Sequence, residues 1–197
     1  GVFLCIDAVI QDALQSAVAE SVGQFDAKWG TGVVMDPLTG EVLAMASAPA
    51  YDPSAYQRAS SAVRTNRAVY VPYEPGSALK PIYAAAAVEA GVAGFQTQIY
   101  CENGVYHARR GGRISDHGHR YGHLTLEDVV VHSSNIGMAK VGEMLGNRAL
   151  HEIAGRFGFG RRTGVEVPGE SPGIVRDLHK WDGYSLRRVP FGQEISV

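Results

Sequence analysis

Glu74-Pro75-Gly76-Ser77-Ala78-Leu79-Lys80-Pro81 runs almost directly into Ala84-Ala85-Ala86-Ala87-Val88, and Gly91 follows shortly after. Glu74-Pro75-Gly76 reads as a turn. Alanine has the highest helix propensity of any residue and glycine is a common terminator, so the pattern predicts a helix over 77–90. Pro81 falls within its first turn, where a missing N–H costs little. Ser77 and Lys80, three positions apart, share one face of that turn. The N–H groups there lack helical acceptors and can stabilise developing negative charge. A serine hydroxyl is a poor nucleophile at its own pKa and needs a base beside it. A lysine taken out of water, with its pKa lowered, is such a base. The bland reading of the same residues is a helix-capping serine with a solvated lysine, and S-x-x-K alone arises about once by chance in a chain of this length.

Working outward, Ser133-Ser134-Asn135 is a second polar element, placed between two helical stretches. A hydroxyl and a carboxamide on one short loop can pass a proton and hold a substrate amide. The competing reading is again a helix cap. The stretch before it, 126–131, starts at Thr125 or the residue ahead of it, and the one after runs from 135 to 145. A further helix is expected over 149–157. Towards the start, residues 2–6 read as a short apolar strand and Asp7 as an N-cap. Residues 8–22 carry Val9, Ala13, Leu14, Ala17 and Val18 at helical spacing, closing near Gly23. Gly32–Met35 and Glu41–Ala46 flank Asp36-Pro37-Leu38-Thr39-Gly40 and read as a β-hairpin. Both runs are apolar at successive positions, which predicts a sheet covered on both faces. Residues 47–76 form a long connection, 95–123 an irregular stretch rich in glycine, and 158–173 a series of turns. No internal repeat is evident.

Composition limits the field. The 197 residues suffice for one sizeable core, and 45% are hydrophobic. Eighteen basic and 20 acidic side chains give a net charge of −2 with no basic block, which disfavours nucleic acid as a partner. No apolar run is long enough for a transmembrane helix, and the opening Gly-Val-Phe-Leu-Cys-Ile-Asp lacks the basic region of a signal peptide. Two cysteines, Cys5 and Cys101, do not make a disulfide framework. His107, His117, His119 and His123, with Asp116 and Cys101, invite a zinc reading, but no CxxC or HExxH spacing supports it. No metal and no cofactor is expected. Tyr51, Tyr56, Tyr70 and Tyr73 precede Ser77 and are candidates either for a cleft wall or for packing.

Glu74–Pro81 and His132-Ser133-Ser134-Asn135-Ile136-Gly137 together resemble the first two motifs of penicillin-binding transpeptidases. Leu4–Asp7 with Ile10-Gln11, the hairpin Gly32–Ala46, Tyr51-Asp52-Pro53, Asn66-Arg67-Ala68 and Phe157–Glu170 resemble further segments of that domain, so the resemblance covers nearly the whole chain. It is greatest to the monofunctional class B type of cell division or elongation. The resemblance implies an α/β (α+β) fold of the penicillin-binding protein and serine β-lactamase kind, with residues 1–197 the N-terminal and central part of one transpeptidase domain. It implies that Ser77 attacks the penultimate D-alanine carbonyl of a peptidoglycan stem peptide, that Lys80 takes its proton, that Ser133 relays it, and that Asn135 holds the substrate backbone. β-Lactams, as mimics of D-Ala-D-Ala, would acylate the same serine. The implied setting is the outer face of the bacterial cytoplasmic membrane. An N-terminal segment would anchor the protein there beside cell-wall partners such as a glycosyltransferase.

The family's third motif, Lys-Thr-Gly on a strand, does not occur in these residues. Arg162-Thr163-Gly164 is rejected as a substitute because Gly158-Phe159-Gly160-Arg161 before it is turn sequence. The expectation is therefore an incomplete cleft belonging to a longer polypeptide, with residues 1–197 inactive alone. Two other readings stay open on sequence: a serine β-lactamase or D,D-carboxypeptidase, and a β-lactam sensor or non-catalytic scaffold.

Overall fold

The computed structural model describes residues 3–109 and 112–197. They fall into two units, Gly1–Val71 with Val167–Glu170, and Pro72–Glu166 with Ser171–Val197.

In the first unit the Asp7 carboxylate accepts hydrogen bonds from the N–H groups of Val9 and Ile10 and starts helix α1, Ala8–Gln24. Strands β1, Gly30–Met35, and β2, Val42–Ala48, pair antiparallel with Gly32 opposite Ala46 and Val34 opposite Ala44. Gly30, Gly32 and Val34 therefore share a face with Ala44, Ala46 and Ala48. The face is nearly flat, and α1 lies on it: a Cβ on Gly32 would stand 2.8 Å from Leu14 Cδ1 and 3.3 Å from Val18 Cγ2. The α1 side chains that meet this face are Leu14, Val18 and Val22, all half-buried; Leu14 and Val18 come from the expected stripe, while its Val9, Ala13 and Ala17 are exposed. The side chain of Gln11 donates to the carbonyl of Met45 and accepts from its N–H, and the N–H of Asp7 reaches the carbonyl of Leu43. These bonds cover the free edge of β2. Helices α2, Ser61–Arg64, and α3, Arg67–Tyr70, break up the stretch read as a plain connection.

Two expectations fail in this unit. Residues 3–6 are not a strand, because Asp7 alone meets a strand edge; Gly1 and Val2 of the expected 2–6 span lie outside the described residues. The hairpin is not covered on both faces either. Val33 is 44% and Met35 54% exposed, so a continuous apolar run here marks a half-covered strand whose inner positions are small.

The second unit opens with a 3₁₀ turn, Gly76–Leu79, that leads into α4, Lys80–Glu89. The expected helix over 77–90 thus begins as a tighter turn. Residues 95–123, read as irregular, hold three short strands, β3, Gln98–Tyr100; β4, Val105–Ala108; and β5, Gly112–Ser115; and run into a fourth, β6, His123–Thr125. β3 pairs with β6 and β4 with β5, both antiparallel; Arg110 and Gly111 lie outside the described residues. Strands of three or four residues are too short to establish a hydrophobic period. Helix α5, Leu126–Val131, starts at Thr125 with a reciprocal capping box to Asp128. Helix α6, Asn135–Arg156, is broken at Gly146 (φ 81°, ψ 156°), which reproduces the two helices expected over 135–145 and 149–157. Helix α7, Gly183–Arg188, completes the unit. Leu79, Tyr83, Ile99, Leu126, Val129, Ile136, Met138, Val141, Leu150, Val189 and Ile195 form its buried core. Among the described residues no helix is long and apolar enough to cross a membrane. Both cysteines are free thiols.

Candidate active site

Ser77 lies on the 3₁₀ turn ahead of α4, and its placement depends on the backbone before it. The N–H of Gly76 donates to the carbonyl of Gly192 at 3.0 Å, the N–H of Glu194 to the Glu74 carboxylate at 2.8 Å, and Tyr73 pairs through both backbone groups with Val197. Residues 192–197 thus strap the turn from one side. Gly192 (φ 82°) approaches so closely that a Cβ there would stand 1.9 Å from the Gly76 carbonyl oxygen. Glu194 is itself held by the side chains of Arg176 and Ser185.

One turn on, Lys80 is only 1% exposed. Its Nζ donates to the Ser133 carbonyl at 2.5 Å, Ser133 Oγ at 2.9 Å and Asn135 Oδ1 at 2.8 Å. An ammonium has three N–H groups, and these three acceptors use them all. Burial draws the Lys80 pKa down from 10.5 to about 8, and the Asp116 carboxylate opposes part of that fall. Ser133 Oγ in turn donates to Ser77 Oγ at 3.0 Å. A continuous chain therefore runs from Lys80 through Ser133 to Ser77. Ser77 and Ser133 are exposed at its open end.

Ser133 adopts φ 55°, a left-handed conformation uncommon for a residue with a side chain. That backbone turns both its carbonyl and its hydroxyl toward Lys80. The next two residues show what supports it. Ser134 Oγ lies 3.0 and 3.1 Å from the two Asp116 oxygens and accepts from the N–H of Gly137 at 2.9 Å. The N–H groups of Asn135 and Ile136 donate to Asp116 Oδ1 at 2.6 and 3.1 Å. A buried carboxylate from the residue after β5 thus caps α6 from outside its own sequence. Asn135 Nδ2 donates to the carbonyl of Ser115 at 3.1 Å.

The four residues singled out by sequence, Ser77, Lys80, Ser133 and Asn135, come together in this one cluster. Asp116 stands in the sequence beside His117 and His119, but in the structure its carboxylate caps α6 instead. His119 stacks on Tyr121 and Tyr121 on His132, while His123 packs against Tyr100 at a tilt. Among the described residues no group of three or more His, Cys, Asp or Glu could hold a metal ion. Arg162-Thr163-Gly164 lies in a loop. Tyr51, Tyr56, Tyr70 and Tyr73 are each more than a third exposed.

The family model of the penicillin binding protein transpeptidase domain matches residues 30–197. A probable peptidoglycan D,D-transpeptidase, PbpC, of Pseudomonas aeruginosa is 34% identical over 196 residues, covering all of this chain and 34% of that protein. PenA of Neisseria gonorrhoeae, also a probable peptidoglycan D,D-transpeptidase, is 33% identical over 196 residues, covering all of this chain and 33% of its own length. The chain thus spans about a third of these relatives. Among solved structures, a peptidoglycan glycosyltransferase from Burkholderia ambifaria superposes with a TM-score of 0.86 at 29% identity, over 99% of this chain and 57% of the other. The transpeptidase domain of penicillin-binding protein 3 from Burkholderia pseudomallei gives 0.84 at 28%, over 98% and 54%. The family match starts at the first residue of β1 and runs through the serine–lysine turn, the Ser-Ser-Asn loop and the strap that holds them, and on that ground the chain belongs to the penicillin-binding protein transpeptidase domain family.

Proposed function

We propose that the protein is a serine D,D-transpeptidase that crosslinks peptidoglycan stem peptides through an acyl-enzyme on Ser77, and that β-lactams acylate the same residue. The observation that carries this reading is the hydrogen-bonded chain from buried Lys80 through Ser133 to Ser77. With Lys80 charged, every bond in that chain points toward Ser77, and the serine is not activated. Loss of one proton gives Lys80 a lone pair, and the chain can reverse. Ser77 then donates to Ser133 Oγ and Ser133 to Lys80 Nζ, so the nucleophile's proton has a path to the base.

In this reading Ser77 Oγ attacks the carbonyl carbon of the penultimate D-alanine. The C–N bond to the terminal D-alanine breaks, and the departing amine takes up the proton held by Lys80 through Ser133. An amine on a neighbouring stem then attacks the Ser77 ester, forming the crosslink amide and returning the proton to Ser77. Asn135 has one Nδ2 hydrogen beyond the one given to Ser115, and this is the donor available to a substrate carbonyl. The setting that follows is the outer face of the cytoplasmic membrane, with an N-terminal anchor and cell-wall partners such as a glycosyltransferase.

Labelling of the full-length protein with a fluorescent penicillin tests the reading. A stable adduct that Ser77→Ala abolishes is expected. Absence of an adduct would sink the proposal, and an adduct that turns over rapidly would replace it with a hydrolase.

A further inference from the structure

Asp116 is 8% exposed, touches neither Ser77 nor Lys80 by a hydrogen bond, and yet holds the loop between them and α6. Its carboxylate takes two backbone N–H groups and one hydroxyl, all from Ser134, Asn135 and Ile136. Charge-assisted bonds of this kind are among the stronger ones available to a protein. They begin at the residue immediately after Ser133, whose left-handed backbone needs support to persist. Ser115, the neighbour of Asp116, holds the Asn135 carboxamide through its carbonyl, so the end of β5 fixes both the backbone and the side chain of Asn135.

We propose that Asp116 is a positioning residue for acylation: its buried carboxylate locks the Ser134–Ile136 backbone and thereby keeps Ser133 presenting its carbonyl and hydroxyl to Lys80. The inference rests on the acyl-serine reading of Ser77. Asp116 meets no substrate; it acts through Ser133. Ser134 serves the same end, linking Asp116 to the N–H of Gly137.

Acylation of the full-length protein by a fluorescent penicillin, followed over a range of concentrations, gives three quantities. The limiting rate constant reports loop geometry, the half-saturating concentration reports binding before the bond forms, and the final amplitude reports the folded fraction. For Asp116→Asn the limiting rate constant falls by about 10²-fold, the loss expected when a reacting group is misplaced by about 1 Å. The half-saturating concentration and the amplitude stay near those of the parent. A role in stability alone would lower the amplitude and leave the rate constant untouched, and that result overturns the proposal. Should Asp116→Asn fail to fold, Ser134→Ala decides: a lowered rate constant at full amplitude supports the loop argument, and an unchanged one overturns it. If the parent protein forms no adduct, the transpeptidase reading fails first; if the parent acylates and the variant acylates equally fast, only the inference about Asp116 fails.

Discussion

In the proposed reaction the nitrogen of Lys80 is held charged by three acceptors and still has to give up a proton to act as the base. Burial settles the conflict by bringing its pKa to about 8. Only the neutral amine can accept from Ser133, so acylation should rise with pH through a midpoint near 8, by about tenfold per unit on the acid side, and level off above it. Lys80→Arg keeps the charge but cannot deprotonate. It should acylate at no pH between 6 and 9, as measured by penicillin labelling, and a variant that labels with a pH-independent rate would remove Lys80 as the base. Ser77, Lys80, Ser133 and Asn135 stand out in the sequence as two short motifs, but their spacing fits a helix cap equally well, and it is the resemblance of both motifs and their surroundings to one family that groups them. Asp116 does not stand out. Its bond to the Ser133–Asn135 loop is a tertiary contact across 18 or more positions, and its sequence neighbours His117 and His119 lie in a glycine-rich stretch with no spacing that marks a site.

Among the elements, the strap 192–197 has the most direct hold on Ser77, the proposed nucleophile, because it fixes the backbone one residue before it. Gly192→Ala tests this. The added carbon would overlap the Gly76 carbonyl in a backbone region that favours glycine, so either the strap or the serine turn must move. Stability should drop by about 1–3 kcal/mol, the usual cost of overpacking, and the acylation rate of the folded protein should fall with it. Urea unfolding and labelling of one sample give both numbers; a destabilised variant with parental acylation would show that the strap does not position Ser77. Helices announced themselves through caps that the structure contains, Asp7 for α1 and Thr125 for α5. The strands β3 to β6 did not, since each has only three or four residues and finds its partner through tertiary placement. On α1 only Leu14 and Val18 of the expected stripe pack on the hairpin, because which face is covered depends on its small Gly and Ala positions, information that lies in two other elements.

At the scale of the molecule, the fold class is legible through the family resemblance that spans the chain, while the division into two units follows from contacts that no local pattern records. All four site residues belong to the second unit, and two of them are rooted in its core: Leu79 precedes Lys80 and Ile136 follows Asn135, both buried. The core therefore both stabilises the unit and forms the floor of the site, and these two duties can be separated along α6. Ile136 lies in its first turn beside Asp116; Leu150 lies beyond the break at Gly146, and both are fully buried. Truncating either to alanine removes similar apolar volume and should cost about 2–5 kcal/mol of stability. Ile136→Ala should in addition slow acylation, because the Ile136 N–H is one of the two that hold Asp116 and its backbone will shift into the space left. Leu150→Ala should leave the rate constant of the folded fraction unchanged. Equal losses of rate in the two variants would mean that acylation follows global stability rather than local support of the Ser133–Asn135 loop.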